Sequence, residues 1–215
     1  MMRLIARRAL VTMVLALLWV FPVPVAAQLD TDVAGTVTRL QGLAVAMQDA
    51  LPRPLQTGDK ILVGDVISTG KGARLEMKML DDATMTLGEK TVFVVVEYLV
   101  QNPQPSGAMR LLEGAFSATS GKMMQVAGAQ FTVSTEVATI GIRGTTFWGG
   151  KIDGSFGIAL LDGKGIYVET KAGRVDISTV GEGTAVSAAG AAPTVPRKWS
   201  AEKTARALAT VTFDP

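Results

Sequence analysis

Residues 74–87 read RLEMKMLDDATMTL. Leu75, Met77 and Met79 alternate with Arg74, Glu76 and Lys78, an Asp81-Asp82 step follows, and Thr84 to Leu87 resumes the alternation. A period of two belongs to an extended strand, whose successive side chains point to opposite faces. Two such runs, with an Asp-Asp turn step between them, predict half-buried strands. Upstream, Val33, Gly35 and Val37, then Leu43, Val45 and Met47, repeat the alternation. Downstream, residues 92–100 read VFVVVEYLV. Their β-branched content and the following Asn102-Pro103 and Pro105 predict a buried central strand rather than a helix. Between the runs lie Gly-Asp, Thr-Gly-Lys-Gly, Gly-Glu-Lys, Asp-Gly and Gly-Glu-Gly steps at intervals of about ten residues, which is turn chemistry. The expected fold is all-β: an antiparallel sandwich, or a short β-solenoid or jelly-roll-like domain, with no room for βαβ units.

Both ends differ in kind. Arg3, Arg7 and Arg8 precede an apolar run from Ala9 to Val20, and FPVPVAA closes it. This is the pattern of a secretory leader over residues 1–27, cleaved after Ala27. The apolar run is short for a span, and Pro22 and Pro24 break its end, so no membrane span is expected after cleavage. Residues 28–187 form the expected β domain. Residues 188–215 are read as a linker, AAGAAPTVPRKW, followed by a short helix in SAEKTARALA, with Ser200 as N-cap and a Glu202–Arg206 pair. The apolar face of that helix is thin.

The chain of 215 residues has 21 Lys and Arg against 19 Asp and Glu. Three of those arginines are in the leader and no acid is, so the exported chain carries 21 − 3 = 18 bases against 19 acids, a formal charge of −1. Nucleic-acid binding loses its electrostatic support. The sequence holds neither Cys nor His, which removes disulfides, thiol nucleophiles, Ser-His-Asp triads and the usual zinc ligands. Catalysis would need paired carboxylates or a Ser-Lys pair. Asp59, Asp65, Asp81, Asp82, Asp153 and Asp162 all sit beside glycines or at strand ends, where turn geometry accounts for them. The stretch GDVISTGKG (64–72) lacks the Ser or Thr after Lys and is one residue too long for a phosphate loop. No cofactor and no metal are expected. LLEG in 109–120 and LLDG in 158–170 echo each other, and both read as hairpin turns.

Gly58-Asp59, the run GDVISTGKGARLEMKMLDDATMTLGEKTVFVV (64–95), LLEGAF, VATIGIRGTTF and ALLDGKGIYVE, in that order, resemble the FecR-type periplasmic domain family across most of 33–177. Asp82-Ala83 and Gly88-Glu89 depart from its usual turn residues. The resemblance implies a β-rich module of the periplasm; longer members pass a signal from an outer-membrane transporter to a cytoplasmic sigma factor. With only a leader before Gln28, direct contact with such a factor is not expected here.

Within VATIGIRGTTFW (137–148), Ala138, Ile140, Ile142 and Gly144 share one face of a strand, and Thr139, Gly141, Arg143 and Thr145 the other. Gly144 is expected to bend the chain so that Phe147 returns to the core. Arg143 is read as pinning a neighbouring strand through a carboxylate or turn carbonyls, with an anion or glycan contact as the alternative. Arg143, Gly144, Thr145, Phe147 and Trp148 are therefore the candidate structural or binding residues. The expected function is an exported, non-catalytic module for protein–protein interaction in envelope signalling or assembly. A cell-wall, glycan or peptidoglycan binder, requiring Trp148, Tyr167 and Trp199 exposed on one surface, is the alternative, and a carboxylate-dependent hydrolase the third.

Overall fold

The structure, a computed structural model, describes residues 33–215; the expected leader lies outside the described residues. The strands are β1 (Val33–Gln41), β2 (Ala44–Gln48), β3 (Leu51–Pro54), β4 (Lys60–Leu62), β5 (Val66–Thr69), β6 (Arg74–Met79), β7 (Thr84–Leu87), β8 (Val92–Leu99) and β9 (Ser106–Glu113). They continue as β10 (Ala115–Thr119), β11 (Gln130–Ser134), β12 (Thr139–Ile142), β13 (Thr145–Ile152), β14 (Ser155–Gly163), β15 (Ile166–Thr170), β16 (Gly173–Ile177), β17 (Glu182–Val186) and β18 (Arg197–Lys198). One helix follows, α1 (Ala201–Ala209).

The strands form two nine-stranded sheets, the first in the order β18-β17-β14-β13-β10-β7-β6-β1-β4 and the second β16-β15-β12-β11-β9-β8-β5-β2-β3. Among the described residues only β9 and β11 pair in parallel. The chain passes from one sheet to the other after β1, β3, β4, β5, β7, β9, β10, β12, β14 and β16. Both sheets grow in nearly the same chain order. The molecule is thus a sandwich wound sequentially, like a flattened coil, which combines two of the expected architectures.

The opening strands form as their period requires. β6 and β7 pair antiparallel with Leu75 opposite Leu87 and Met77 opposite Met85, and all four side chains are buried between the sheets. One continuous core runs from Ala34 to Val186. Phe116 links its two ends, with ring centroids 5.7 Å from Phe93 and 5.3 Å, edge-on, from Phe147.

Three expectations change in detail. The LLEG and LLDG echoes are corners between sheets, since β9 and β10 lie in different sheets and so do β14 and β15. In β2 the core takes Ala44 and Ala46, leaving Val45 half-buried and Met47 exposed; small residues fit where the layers approach closely, so the larger apolar set was displaced outward. β8 is central but buries only one face: Phe93, Val95 and Tyr98 point inward, while Val92 and Val94 are half-buried and Val96 and Leu99 exposed.

Buried hydroxyls fasten the corners. Thr91 Oγ1 donates to the Ala115 carbonyl at 3.1 Å and accepts from its N–H at 3.2 Å. Thr145 Oγ1 does the same with Gly165, at 3.0 and 2.9 Å. Each hydroxyl binds backbone groups at the point where the chain passes from one sheet to the other.

The residues after β17 are part of this architecture. The Thr194 N–H donates to the Ala185 carbonyl at 3.0 Å, and Arg197–Lys198 pair with Glu182 and Gly183. Trp199 then packs over Gly183 and Gly157, where a Cβ on Gly183 would lie 2.5 Å from the indole nitrogen. Ser200 Oγ caps α1 by accepting from the Lys203 N–H at 3.1 Å. Arg206 pairs with Asp153 at 2.7 Å rather than with Glu202, because the helix lies on the sheet, beside the β13–β14 turn. Ala207 and Val211 cover Trp148 and Ala115, Arg74 donates to the Ala209 carbonyl at 3.2 Å, and Gln41 exchanges hydrogen bonds of 2.6 and 2.9 Å with Asp214. Residues 199–214 therefore strap the outer face of the first sheet from β17 to β1.

Candidate interaction surface

The Arg143-Gly144-Thr145 step is a corner. β12 ends at Ile142 in the second sheet and β13 begins at Thr145 in the first, with Gly144 at φ +71°, a conformation that disfavours other residues. The five residues singled out from the sequence go to separate environments. Arg143 lies on the outer face of the second sheet, more than half exposed, with Nη2 2.8 Å from Asp176 Oδ1. Thr145 is buried in the corner, Phe147 in the core, and Trp148 on the outer face of the first sheet, where the strap buries it completely. Its indole N–H donates to Thr210 Oγ1 at 3.0 Å.

Trp148 is consequently no stacking platform for a sugar. It meets Trp199 edge-on at 5.9 Å beneath the strap, while Tyr167 lies on the other sheet. The three aromatics share no surface. Tyr167 stacks instead between the backbone of Gly141, where a Cβ would fall inside the ring, and the Arg174 guanidinium, 3.8 Å from the ring centroid. Arg174 also pairs with Asp176 at 3.2 Å. The Arg174 and Arg143 guanidiniums hold the Asp176 carboxyl below its usual range.

Five of the six aspartates named from the sequence, Asp162 being the exception, have structural partners. Asp59 accepts from the Gln56 N–H, and the buried Asp65 from Arg53 and the Leu62 N–H. Asp81 accepts from the Tyr98 hydroxyl, the Ala83 N–H and the Met123 N–H, fixing the crossing to the 3-10 turn at Lys122–Gln125. Burial, with the Asp81 carboxylate second, pushes the Tyr98 hydroxyl far above its usual range. Asp82, bonded to Lys122 and Lys78, is held at about 2. Among the described residues no group of three or more acidic side chains could hold a metal ion. No described helix is long and apolar enough to cross a membrane.

A cavity of about 450 Å³ beside the strap is lined by Arg74, Lys90, Lys151 and Arg206 together with Glu89 and Glu113. Its charges are mixed, and Glu89 and Arg206 are already engaged by the Gly72 N–H and Asp153. It offers no single ligand chemistry.

Among the described residues the second sheet differs from the first in having no strap. Across its bare outer face, Met47 stands opposite Val66, Val66 opposite Val94, and Val94 opposite Arg110; Val45 and Val92 flank Ser68 in the next row. Met47 and Val96 are each 44% exposed and Leu112 53%. An aliphatic field over β2, β5 and β8 thus grades into Arg110, Arg143 and Arg174 toward β16. The sequence signal was present in VFVVVEYLV, which is too apolar for a strand with one solvated face. Contiguous exposed apolar surface of this kind marks interaction sites.

Residues 65–165 match the model of the family described as FecR protein. Two crystal structures of a protein from Parabacteroides distasonis ATCC 8503, each described as a "putative anti-sigma factor", align at TM-scores of 0.52 and 0.51 with 17% identity. The matches cover 66% of this chain and 63% and 62% of the other chains, so this chain spans less than two thirds of their length. At that identity the likeness shows the fold. Comparison with curated proteins gives no match.

Proposed function

Residues 65–165 match the FecR protein family model, and from that premise we propose that the chain is an exported, non-catalytic interaction module of cell-envelope signalling or assembly. The observation that carries this reading is the aliphatic field of Val45, Met47, Val66, Val92, Val94 and Val96 on the one sheet face without a strap. A partner protein lays an apolar surface on that field, and the arginines at its margin set orientation. The description of the solved relatives as anti-sigma factors supports a regulatory role. Export follows from the arginine-flanked leader ending in VAA. Intact mass of secreted material should begin at Gln28; full-length chain in a membrane pellet would contradict export.

The interaction is tested by immobilising the chain from Gln28, capturing from envelope extract, and repeating with Val94→Glu and Met47→Glu. Charges placed in the centre of an apolar contact lower affinity by an order of magnitude or more. Capture that is unaffected by both variants, with the fold intact by circular dichroism, would place the interface elsewhere.

A further inference from the structure

Each sheet has two edges, and three of the four are blunted. β18 is two residues long and β4 three, too short to template another strand, and β3 reads Leu-Pro-Arg-Pro, with two residues that lack an N–H. β16, Gly173-Arg174-Val175-Asp176-Ile177, is five residues long, contains no proline, and pairs only with β15 among the described residues. Its side chains are also held in place: Arg174 lies on Tyr167 at 3.8 Å, and Arg143 reaches Asp176 from the end of β12. This edge is ordered for pairing and left open.

We propose that β16 pairs with β16 of a second copy of this chain, antiparallel, about a two-fold axis at Val175. The occupant follows from the strand's own charges. Arg174 and Asp176 flank Val175 on the outer face, so an antiparallel register centred there sets Arg174 opposite the partner's Asp176 and Asp176 opposite the partner's Arg174. The strand is self-complementary. Val175 points inward, packs on the core and remains half-buried, and the same register places it against its own copy at the open end of the sandwich. The two second sheets become continuous, with both aliphatic fields on the same side of the dimer. This goes beyond the proposed partner interaction and does not depend on it. Five residues of edge bury little area, so the dimer is weak and forms with rising concentration.

The test is sedimentation equilibrium of the purified chain over a concentration series, with Arg174→Asp and Asp176→Arg variants alone and mixed. The first variant presents two acids on the edge and the second two bases, so each alone should be monomeric. Their equimolar mixture sets acid against base at both positions and should dimerise at least as well as the parent. Hydrogen exchange of the parent supplies a second measurement that needs no variant: amides of 173–177 should become protected as concentration rises. A parent chain that stays monomeric, variants that self-associate like the parent, or a mixture that stays monomeric overturns the proposal. So does protection confined to another edge, which would point to different pairing.

Discussion

At Thr145 a single buried hydroxyl serves both backbone groups of Gly165, while two residues earlier the Arg143 guanidinium makes a more than half-exposed ion pair. Their energies should therefore differ in a direction opposite to their chemical prominence. Replacing Arg143 with Ala removes a solvated pair and should lower stability by about 0–1 kcal/mol. Thr145→Val keeps the shape but strands the buried Gly165 N–H, while the Gly165 carbonyl keeps the Arg143 N–H at 3.1 Å, and should lower it by about 1–3 kcal/mol. Denaturant unfolding of the two variants checks the order; equal losses would mean that the Arg143–Asp176 pair ties β12 to β16 more strongly than a solvated pair does. Gly141→Ala belongs at the same scale. The added methyl would enter the Tyr167 ring, which is itself held by Arg174, so overpacking of about 1–3 kcal/mol is expected by the same measurement.

The strap is the element whose role the sequence conveyed least. Ser200 as N-cap was legible because capping is local, and so were strands β6 and β7 because their period is local. That Ala207 and Val211 would meet Trp148 was not, since the furrow they fill comes from β10 and β13, far away in sequence. Thin apolar faces dock where the opposing surface supplies the bulk, here one tryptophan. The corner residues show the same limit: Asp-Gly and Glu-Gly steps announce a change of direction, but not whether the next strand stays in the sheet. The strap's electrostatics give a testable consequence. Asp153 is held below the usual carboxylate range, first by its hydrogen bond to Arg206 and then by the one to Lys203. A depressed carboxylate contributes stability that is complete above the unfolded value and lost as pH falls through the folded one. Trp148 and Trp199 emission should therefore stay constant down to about pH 4 and shift to the red below it. Asp153→Asn should show the loosened signal at neutral pH and a weaker acid response; an unchanged acid transition would assign it to other carboxylates.

For the whole molecule, sequential winding poses a problem of cooperativity. When strands are added in chain order, each contacts mainly its neighbours, and such stacks tend to unfold from their ends. Two features oppose that here. The chain changes sheets so often that neither layer can come apart alone, and the core runs without a break from Ala34 to Val186. The strap adds a tie of a different kind, because it touches β17, β14, β13, β10, β6 and β1 and joins the last strands directly to the first. It closes a long loop with contacts that neighbouring strands cannot make. The intact chain should therefore unfold in one transition, with far-ultraviolet circular dichroism and Trp148 emission giving the same midpoint. A chain ending at Lys198 loses the tie and uncovers Trp148, so its midpoint should fall. Its transition should also broaden, with a smaller denaturant slope, as the β1 and β17 ends melt separately from the centre. A truncated chain that is merely less stable, with the slope unchanged and the dichroism and emission midpoints coincident, would show that the shared core alone makes the sandwich cooperative and that the strap serves only to cover one face.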